Sequence, residues 1–454
     1  MNMGLKFYST NLKAPEVSFR EALIKGLAPD GGLYMPRSIP GIARDELYKL
    51  KTKNYPEIAF QILSCLLADD INNGILMNLC RDAYNFDVPL ERVFDRTYIL
   101  RLDQGPTLSF KDFAARMMAR LMHFYTSRDR MNFTILTATS GDTGSAVANA
   151  FHGLSNIDVI ILFPVREVTD YQRRQMTTLG RNISVIAIDG KFDDCQRLVK
   201  RAFLDTSLLH CSLTSANSIN IGRLLPQSVY YFYAWSRIAE DIDDKVIFSV
   251  PSGNYGNLMG GVIAREMGLP VKKFIISAND NNEVPEYLKN GVYKIISPSI
   301  NCISSAMNVG HPSNLARLIA LYGGIMDQRG VIIKDPDMDR IRKDFSGFSI
   351  NDEETRNTIG ECYKKHGLLI EPHGAVAWKG IERFLGTKPA DLSEKQLFVS
   401  LETAHPSKFR EDMVNVLGFS PSIPDQLLRI EKLEENYTEM ENDYEQLKEF
   451  ILKR

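Results

Sequence analysis

The sequence predicts an α/β protein with two units built on parallel sheets, preceded by a mainly helical region. From about residue 97, short and continuously apolar runs recur, as in Asp158–Phe163 and Lys245–Val250. Segments of about a dozen residues with helical spacing separate them, which is the pattern of a parallel sheet covered by helices on both faces. The runs form two groups, roughly 130–205 and 245–400. We therefore expect a ligand cleft between two units, at the carboxyl ends of the strands.

The composition is that of a globular protein of enzyme size. At roughly 150 residues per domain, 454 residues suggest about three units. Lys and Arg total 54 against 56 for Asp and Glu, and a formal charge of −2 argues against a nucleic-acid-binding protein. No run approaches the roughly 18 apolar residues of a membrane span, and the first residues contain no apolar targeting segment, so we expect a cytoplasmic protein without a membrane partner. The six cysteines are scattered without C-x-x-C spacing, which argues against zinc ribbons, redox dithiols and disulfide frameworks.

Residues 1–95 are predicted to form a separate domain that is mainly helical. Ser18–Glu21 has the spacing of a capping box, and the helix that follows it is expected to end at Gly26. Closely spaced Ile, Leu and Met over 56–82 are typical of buried helices. The core with both α/β units is predicted over 96–425.

Within this core, strands and helices are predicted to alternate along the chain. The strands are predicted at 133–137, 158–163, 183–188, 245–250, 271–277 and 396–400. The helices are predicted at 145–151, 172–179, 192–203, 223–238 and 257–267.

The last segment, 426–454, carries a heptad stripe and is predicted to form one amphipathic helix. The apolar positions of the stripe are Ile430, Leu433, Tyr437, Met440, Tyr444, Leu447 and Ile451. Two arrangements remain open, a helix packed on the body of the same chain and a coiled-coil contact between two copies.

Two glycine-rich turns stand where a predicted strand meets a predicted helix, at Thr139–Ser145 and Ser252–Leu258. Glycine permits a tight backbone path, and the free amides and positive dipole end of the following helix attract a carboxylate or a phosphate. Neither turn has the Walker or the G-x-G-x-x-G spacing. Their pairing predicts a cleft that holds two anionic groups.

Lys111, in the segment 105–113, stands in the first turn of a predicted helix. The helix dipole disfavours a cation at that end, so the pKa of the amine should be lowered. A neutral amine can attack a carbonyl carbon, which makes Lys111 a candidate for Schiff-base chemistry, although a solvated surface charge is the alternative.

Polar residues also follow the predicted strand 396–400, in the segment 401–410. His405 precedes a proline there, and a structural hydrogen bond and a catalytic role both remain open. His373 has the position of an ordinary residue at a helix start. No His or carboxylate pair has the spacing of a metal site, so no metal is expected.

Taken together, these segments resemble the threonine synthase family of pyridoxal-phosphate enzymes. The matching segments are YSTN (8–11), SFREAL (18–23), GLAPDGGLYMP (26–36), GPTLSFKDF (105–113), TSGDTGSAVA (139–148), QMTTLG (175–180), FDDCQ (192–196), NSIN (217–220), RLLPQ (223–227), PSGNYGN (251–257) and ETAHPSKF (402–409). They cover nearly the whole chain to about residue 415. The resemblance implies two three-layer α/β lobes of the tryptophan-synthase-β-like fold, fold type II, behind a family-specific N-terminal domain.

The resemblance also implies which residues bind the cofactor. Lys111 would form the Schiff base with pyridoxal 5′-phosphate, and Thr403 would lie against the pyridine nitrogen and leave it largely unprotonated. The cofactor phosphate would bind in the loop formed by Gly253, Asn254, Tyr255, Gly256 and Asn257.

Further residues are implied for the substrate. Ser140 and Thr143 would receive the carboxylate of the amino acid. The candidates for a substrate phosphate are Asn217, Ser218, Asn220 and Arg223. Many enzymes of fold type II carry Asn at the position of Asp142, beside the phenolic oxygen of the cofactor. An ionised Asp would repel a phenolate, so Asp142 is left without a role.

The implied activity is conversion of O-phospho-L-homoserine and water to L-threonine and phosphate, in a monomer or a homodimer. A related lyase, which gives 2-oxobutyrate, phosphate and ammonia, would share the early steps. A cofactor-free binding or scaffolding protein is a third possibility, and the presence of Lys111, Thr403 and both glycine-rich turns argues against it.

Overall fold

The computed structural model describes residues 5–67, 70–393 and 395–454. The strands are β1 (Lys6–Ser9), β2 (Val17–Ser18), β3 (Tyr34–Pro36), β4 (Leu90–Phe94), β5 (Thr97–Arg101), β6 (Phe133–Ala138), β7 (Ile157–Pro164), β8 (Ile183–Asp189), β9 (Leu213–Thr214), β10 (Val246–Pro251), β11 (Val271–Ala278), β12 (Ile325–Met326), β13 (Ile332–Lys334), β14 (Phe345–Ser349), β15 (Leu397–Glu402) and β16 (Thr438–Glu441).

The α-helices follow in the same chain order. They are α1 (Phe19–Lys25), α2 (Arg44–Lys49), α3 (Tyr55–Leu67), α4 (Asn73–Ala83), α5 (Lys111–Asp129), α6 (Asp142–Phe151), α7 (Asp170–Thr177), α8 (Phe192–Leu204), α9 (Ile221–Leu224), α10 (Val229–Ile238), α11 (Gly256–Glu266), α12 (Glu283–Asn290), α13 (Leu315–Leu321), α14 (Met338–Asp344), α15 (Asp352–His366), α16 (Pro372–Gly386), α17 (Arg410–Leu417), α18 (Asp425–Ile430) and α19 (Tyr444–Leu452). Short 3₁₀ helices lie at Leu50–Thr52, Thr206–Cys211, Leu225–Ser228, Ser305–Met307 and Pro406–Phe409.

Two parallel sheets form the two α/β units that the apolar runs predict. In one, the strand order is β16-β8-β7-β6-β9, and all neighbours are parallel. In the other, the order is β14-β11-β10-β15-β5-β4, and β4 alone is antiparallel to its neighbour. Strands such as β10 are buried along their whole length, because helices cover both faces of the sheet.

The predicted helix over 223–238 is divided. α9 ends at Leu224, a 3₁₀ turn follows at Leu225–Ser228, and α10 begins at Val229. Pro226 lies in this turn and has no backbone N–H for an α-helical hydrogen bond, which accounts for the interruption.

The N-terminal region contains more strand than the sequence predicts. Helices α1 to α4 are present, and Ser18 and Glu21 form the expected capping box before Gly26 ends α1 with a φ of 69°. However, β2, β1 and β3 form an antiparallel sheet, and α1 lies in the chain between β2 and β3. These strands are two to four residues long, too short for alternating hydrophobicity to be readable.

The prediction of one continuous helix over 426–454 is wrong. α18 ends at Ile430, β16 pairs in parallel with the edge strand β8, and α19 begins only at Tyr444. Leu433 and Tyr437 of the predicted stripe are exposed. The backbone groups along the edge of β8 need hydrogen-bond partners, and β16 supplies them, which a helix could not do.

α19 nevertheless packs on the body of the same chain, as one of the two predicted arrangements has it. Its buried residues join the hydrophobic cluster around α8 and the strands of the five-stranded sheet. Among the described residues, no helix is both long and apolar enough to cross a membrane.

Candidate active site

Lys111 is the first residue of α5, and backbone hydrogen bonds place it beside the end of β15. The amide of Phe110 donates to the carbonyl of Thr403 at 2.9 Å, and the amide of His405 donates to the carbonyl of Leu108 at 3.1 Å. The segment that leads into α5 therefore pairs with the segment that leaves β15. Lys111 and Thr403, which are distant in sequence, come together in this way.

The Lys111 amine lies in a partly buried position, with 13% of its side chain exposed. Burial lowers the pKa of this amine, the nearby carboxylate of Asp142 opposes that shift, and the positive charges of Lys408 and Arg223 add to it. The lowered pKa predicted from the sequence is confirmed in direction. Burial is the largest cause of the lowered pKa, whereas the sequence argument relied on the helix dipole and could not show that Lys111 is buried.

The first glycine-rich turn is shaped by Thr139. Its hydroxyl oxygen accepts hydrogen bonds from the amides of Gly141 at 2.9 Å and Gly144 at 2.8 Å. Gly141 has a φ of 130°, which favours glycine. Helical geometry leaves the next amides, those of Asp142 and Thr143, without an intrahelical acceptor. Ser140 and Thr143 are partly exposed here, so the turn can bind a carboxylate in the predicted way.

The second glycine-rich turn leads into α11. Tyr255 has a φ of 60° and precedes the helix, so the amides of Gly256 and Asn257 open its first turn. Asn254 holds the loop from outside, because its Nδ2 donates to Ser218 Oγ at 2.5 Å and its Oδ1 accepts from the Ser313 amide at 2.7 Å. At Gly253, a Cβ atom would lie 2.8 Å from the carbonyl oxygen of Ala306, so only glycine fits.

Asn257, in the first turn of α11, carries a side-chain donor without a partner among the described residues. Its Oδ1 accepts from the hydroxyls of Tyr230 at 2.7 Å and Tyr231 at 2.8 Å. Its Nδ2 is buried and contacts no acceptor among the described residues. A buried donor without a partner is costly, so this amide fits an anionic ligand.

Thr403 follows β15 and is connected to two buried carboxyl groups. Its hydroxyl donates to Glu371 Oε1 at 3.4 Å, and Glu402 Oε1 accepts from the Glu371 amide at 2.8 Å. Burial and the neighbouring charge of Glu371 raise the pKa of Glu402 well above its usual range. Burial therefore favours the protonated form of Glu402, and the Arg101 guanidinium, 3.8 Å away, opposes that shift.

The four residues predicted to bind a substrate phosphate divide into two groups. Asn217 and Ser218 are partly exposed, and Arg223 is buried with its Nε unpaired among the described residues. Asn220 differs, because its Nδ2 donates to the carbonyls of Leu23 and Ser215, both at 2.9 Å, and its Oδ1 caps α9. The amide of Asn220 thus has no donor left for a ligand and holds the loop in place.

The two histidines considered in the sequence have structural contacts. His373 pairs through Nδ1 with Glu371, and its Nε2 accepts from the Ala306 amide at 3.0 Å. His405 Nδ1 lies 2.8 Å from Ser407 Oγ at the start of a 3₁₀ helix. Burial lowers the pKa of His405 to about 4, so the ring is neutral at pH 7.

Asp142 and Lys408 form an ion pair within the site, with 2.6 Å between Oδ1 and Nζ. The sequence left Asp142 without a role and did not single out Lys408 as a site residue. Its only sequence signal is its place in the polar segment after β15. The ion pair offsets the negative charge that made Asp142 difficult to assign.

These groups fit a phosphorylated aldehyde cofactor. Lys111 offers an amine with a lowered pKa, and the start of α11 offers free amides together with the unpaired Nδ2 of Asn257. Thr403 offers a hydroxyl at the end of β15, where its carbonyl accepts from the Phe110 amide next to Lys111. Two parallel α/β units with such a site define a class, the pyridoxal-phosphate-dependent enzymes of fold type II.

Comparison with known families agrees with this class and narrows it. The family described as "Pyridoxal-phosphate dependent enzyme" matches residues 88–401. Families described as "Threonine synthase N terminus" and "Threonine synthase, C-terminal" match residues 6–84 and 375–451. A threonine synthase of Haemophilus influenzae is 40% identical over 446 residues, which cover 98% of this chain and 99% of that protein. The chain belongs to the threonine synthase family, a family of pyridoxal-phosphate-dependent lyases.

Solved structures confirm the predicted fold class. The crystal structure of a pyridoxal-phosphate-bound threonine synthase from Brucella melitensis superposes with a TM-score of 0.91 at 34% identity, over 99% of both chains. Threonine synthase from yeast superposes with a TM-score of 0.89 at 30% identity, over 100% of this chain and 99% of that chain.

Proposed function

We propose that the protein converts O-phospho-L-homoserine and water to L-threonine and inorganic phosphate. The observation that carries this proposal is a lysine amine beside the first glycine-rich turn, 3.7 Å from Asp142, in a chain whose second glycine-rich turn offers a further site for an anion. A substrate with a carboxylate and a phosphate, bound next to a phosphorylated cofactor, needs such an arrangement. Membership in the threonine synthase family over nearly the whole chain supports the proposal.

Pyridoxal phosphate would be held by residues from both units. Lys111 would bind it covalently, the amides and side chain at Gly253–Asn257 would bind its phosphate, and Thr403 would face its ring nitrogen. When bound, this cofactor supplies an electron sink for negative charge that forms on the substrate carbons. Glu371 would position Thr403 by accepting from its hydroxyl, and Glu402 holds Glu371 in turn by accepting from its amide.

Lys111 acts as the base for the proton at the α-carbon of the substrate. Burial disfavours its charged form, so a larger fraction of the amine is neutral and able to accept a proton. Removal of protons from the α- and β-carbons permits expulsion of the γ-phosphate, and water then adds at the β-carbon. Each proton transfer needs a base in reach, and Lys111 is the group whose position and pKa fit this role.

The remaining site residues bind and orient the substrate. The free amides of Asp142 and Thr143, with the side chain of Ser140, receive its carboxylate. Asn217 and Ser218 are partly exposed and Arg223 Nε is unpaired among the described residues, so this group would bind the substrate phosphate, since a guanidinium binds a phosphate with paired hydrogen bonds. Asn220 serves this group as a positioning residue.

The decisive experiment is incubation of the purified protein with O-phospho-L-homoserine, with phosphate and the organic product both quantified. We expect phosphate and L-threonine in equal amounts. Lys111→Ala should lower turnover by at least about 10³-fold, because the base and the covalent attachment are both lost. It should also lose the visible absorbance of the bound cofactor and the borohydride-trapped adduct.

Three results would contradict the proposal. Release of 2-oxobutyrate and ammonia in place of threonine would make the protein the related lyase. Full activity of Lys111→Ala, or a purified protein that binds no pyridoxal phosphate, would remove the assigned chemistry altogether.

We also propose that the enzyme works in the cytoplasm, as a monomer or a homodimer. All six cysteines are free thiols, which suits a reducing compartment. Size-exclusion chromatography with light scattering measures the oligomeric state directly.

A further inference from the structure

Asp142 is a buried carboxylate whose two oxygens have different surroundings. Oδ1 accepts from Lys408 Nζ at 2.6 Å and from Gln172 Nε2 at 3.0 Å. Oδ2 lies 3.7 Å from Lys111 Nζ. One oxygen is thus held by two donors, and the other is directed at the amine that carries the proposed chemistry.

Lys408 is a fully buried lysine, with 0% of its side chain exposed. Besides Asp142, it donates to the carbonyl of Thr107 at 3.0 Å, which also accepts from Gln175 Nε2 at 3.1 Å. Burying an ammonium group is costly unless it is paired. Lys408 is paired with Asp142, next to the Lys111 amine. Because Thr107 belongs to the segment that leads to Lys111, the contacts of Lys408 join the start of α6 to the approach to α5.

We propose that Lys408 and Asp142 are a pair of positioning residues for Lys111, in which Lys408 and Gln172 fix the carboxylate so that its Oδ2 faces the Lys111 amine. The inference rests on the proposed role of Lys111. In this arrangement, Asp142 stabilises the protonated form of Lys111, and Lys408 limits that effect. The two opposing charges keep either protonation state of the Lys111 amine accessible.

The charges that face Lys111 come from four elements. Asp142 begins α6, Lys408 follows β15, Arg223 lies in α9 and Glu371 precedes α16. The two carboxylates favour the charged amine, and the two cations disfavour it. Among these, Asp142 forms the ion-pair contact with Lys111, and Lys408 acts mainly through its own contact with Asp142.

This arrangement predicts opposite effects for two substitutions. Asp142→Asn removes the stabilising anion and leaves Lys408 as an uncompensated cation, so the amine should lose its proton at lower pH. Lys408→Met leaves Asp142 with Lys111 as its remaining cationic partner, so the amine should hold its proton to higher pH. Each shift should be about one pH unit or more, since opposite charges at this distance shift a pKa by about that amount.

The test uses the full chain stripped of cofactor and mixed with pyridoxal phosphate over a range of pH. The neutral Lys111 amine attacks the aldehyde carbon, a carbon–nitrogen double bond forms and water leaves. The rate of the absorbance change is measured, and borohydride trapping with mass spectrometry locates the adduct. The midpoint of the pH dependence should move down in Asp142→Asn, up in Lys408→Met, and stay near that of the unsubstituted protein in the double variant.

The matched control is Lys448→Met in α19. Lys448 Nζ forms an ion pair with Asp205 Oδ2 at 3.0 Å, so this variant also removes a paired lysine. It should leave the midpoint unchanged. The inference would be overturned if the midpoints of both single variants moved in the same direction. It would also be overturned if both variants reacted more slowly with unmoved midpoints, which would leave the Lys408–Asp142 ion pair with a structural role only. If Lys408→Met does not fold, the near-isosteric Asp142→Asn decides alone, and an unmoved midpoint there overturns the inference. An adduct absent from Lys111 in the unsubstituted protein would contradict the proposed function instead.

Discussion

At the scale of single residues, burial rather than ion pairing governs the protonation of several acids. Glu283, at the start of α12, is buried, and burial raises its pKa to about 8. Its Oε2 contacts no donor among the described residues. The folded protein therefore binds a proton here that the unfolded chain releases near pH 4.5.

This difference predicts how stability depends on pH. Because the folded pKa is raised, the favourable contribution is complete below about pH 4.5 and is lost as the pH rises toward 8. Glu283→Gln, which stays neutral, should be more stable than the unsubstituted protein at pH 8 by about 1 to 4 kcal/mol, and by less at pH 5. Thermal unfolding at both pH values measures the difference.

Glu286→Gln provides the control, because Glu286 lies in the same helix with a half-exposed side chain. It should change the unfolding temperature equally at both pH values. A Glu283→Gln effect that is the same at pH 5 and pH 8 would contradict the raised pKa.

Single residues of the site differ in whether the sequence alone can identify them. Lys111 and the two glycine-rich turns are recognisable because the local segment itself determines their chemistry, with a strand end, a glycine and a helix start in succession. No local pattern in the sequence marks Lys408 as a site residue. Its significance depends on Asp142, and only the packing of the segment after β15 against the start of α6 brings the two together.

At the scale of elements, the C-terminal segment is held by one strand and one short helix. In α19, Leu447 is 0% exposed and belongs to the cluster around α8, whereas Leu452 is 46% exposed. Spacing alone suggested a single long helix, because Met440, Tyr444, Leu447 and Ile451 are buried at helix-like intervals. Met440, however, is buried as part of the strand β16 and not of a helix.

Leu447→Ala should lower the free energy of unfolding by about 2 to 5 kcal/mol, because it removes buried methyl groups and leaves a cavity. Leu452→Ala, in the same helix but exposed, should change it by less than about 1 kcal/mol. Denaturant unfolding of both variants provides the comparison. Equal effects would show that α19 does not pack on α8 in solution.

At the scale of the whole molecule, Arg317 joins the N-terminal region to the cleft. Its guanidinium donates to the carbonyls of Tyr34 at 3.1 Å, Ser218 at 3.1 Å and Ile219 at 2.6 Å, and to Asn314 Oδ1 at 2.6 Å. Burial lowers its pKa to about 9. One buried side chain therefore holds β3, the loop before α9 and the start of α13 together.

Arg317→Lys should be destabilising by about 2 to 4 kcal/mol although it keeps the charge, because an ammonium cannot reach all four acceptors and buried carbonyls then lose their donors. The KM for O-phospho-L-homoserine should rise as the loop of Ser218 loosens. Thermal unfolding and steady-state kinetics measure the two effects. Arg329→Met, whose side chain is 76% exposed, is the control and should change neither.

The sequence by itself determined the α/β class, the order of most core strands and helices, and the local sites at Lys111 and the glycine-rich turns. These properties depend on apolar periodicity and on turn chemistry, which act over a few neighbouring residues. The antiparallel sheet at the N-terminus, the β16 contact and the pairing of Lys408 with Asp142 were decided only by the tertiary structure. Their energies arise between segments far apart in the chain, where an open sheet edge or a buried charge finds a partner that no local pattern specifies.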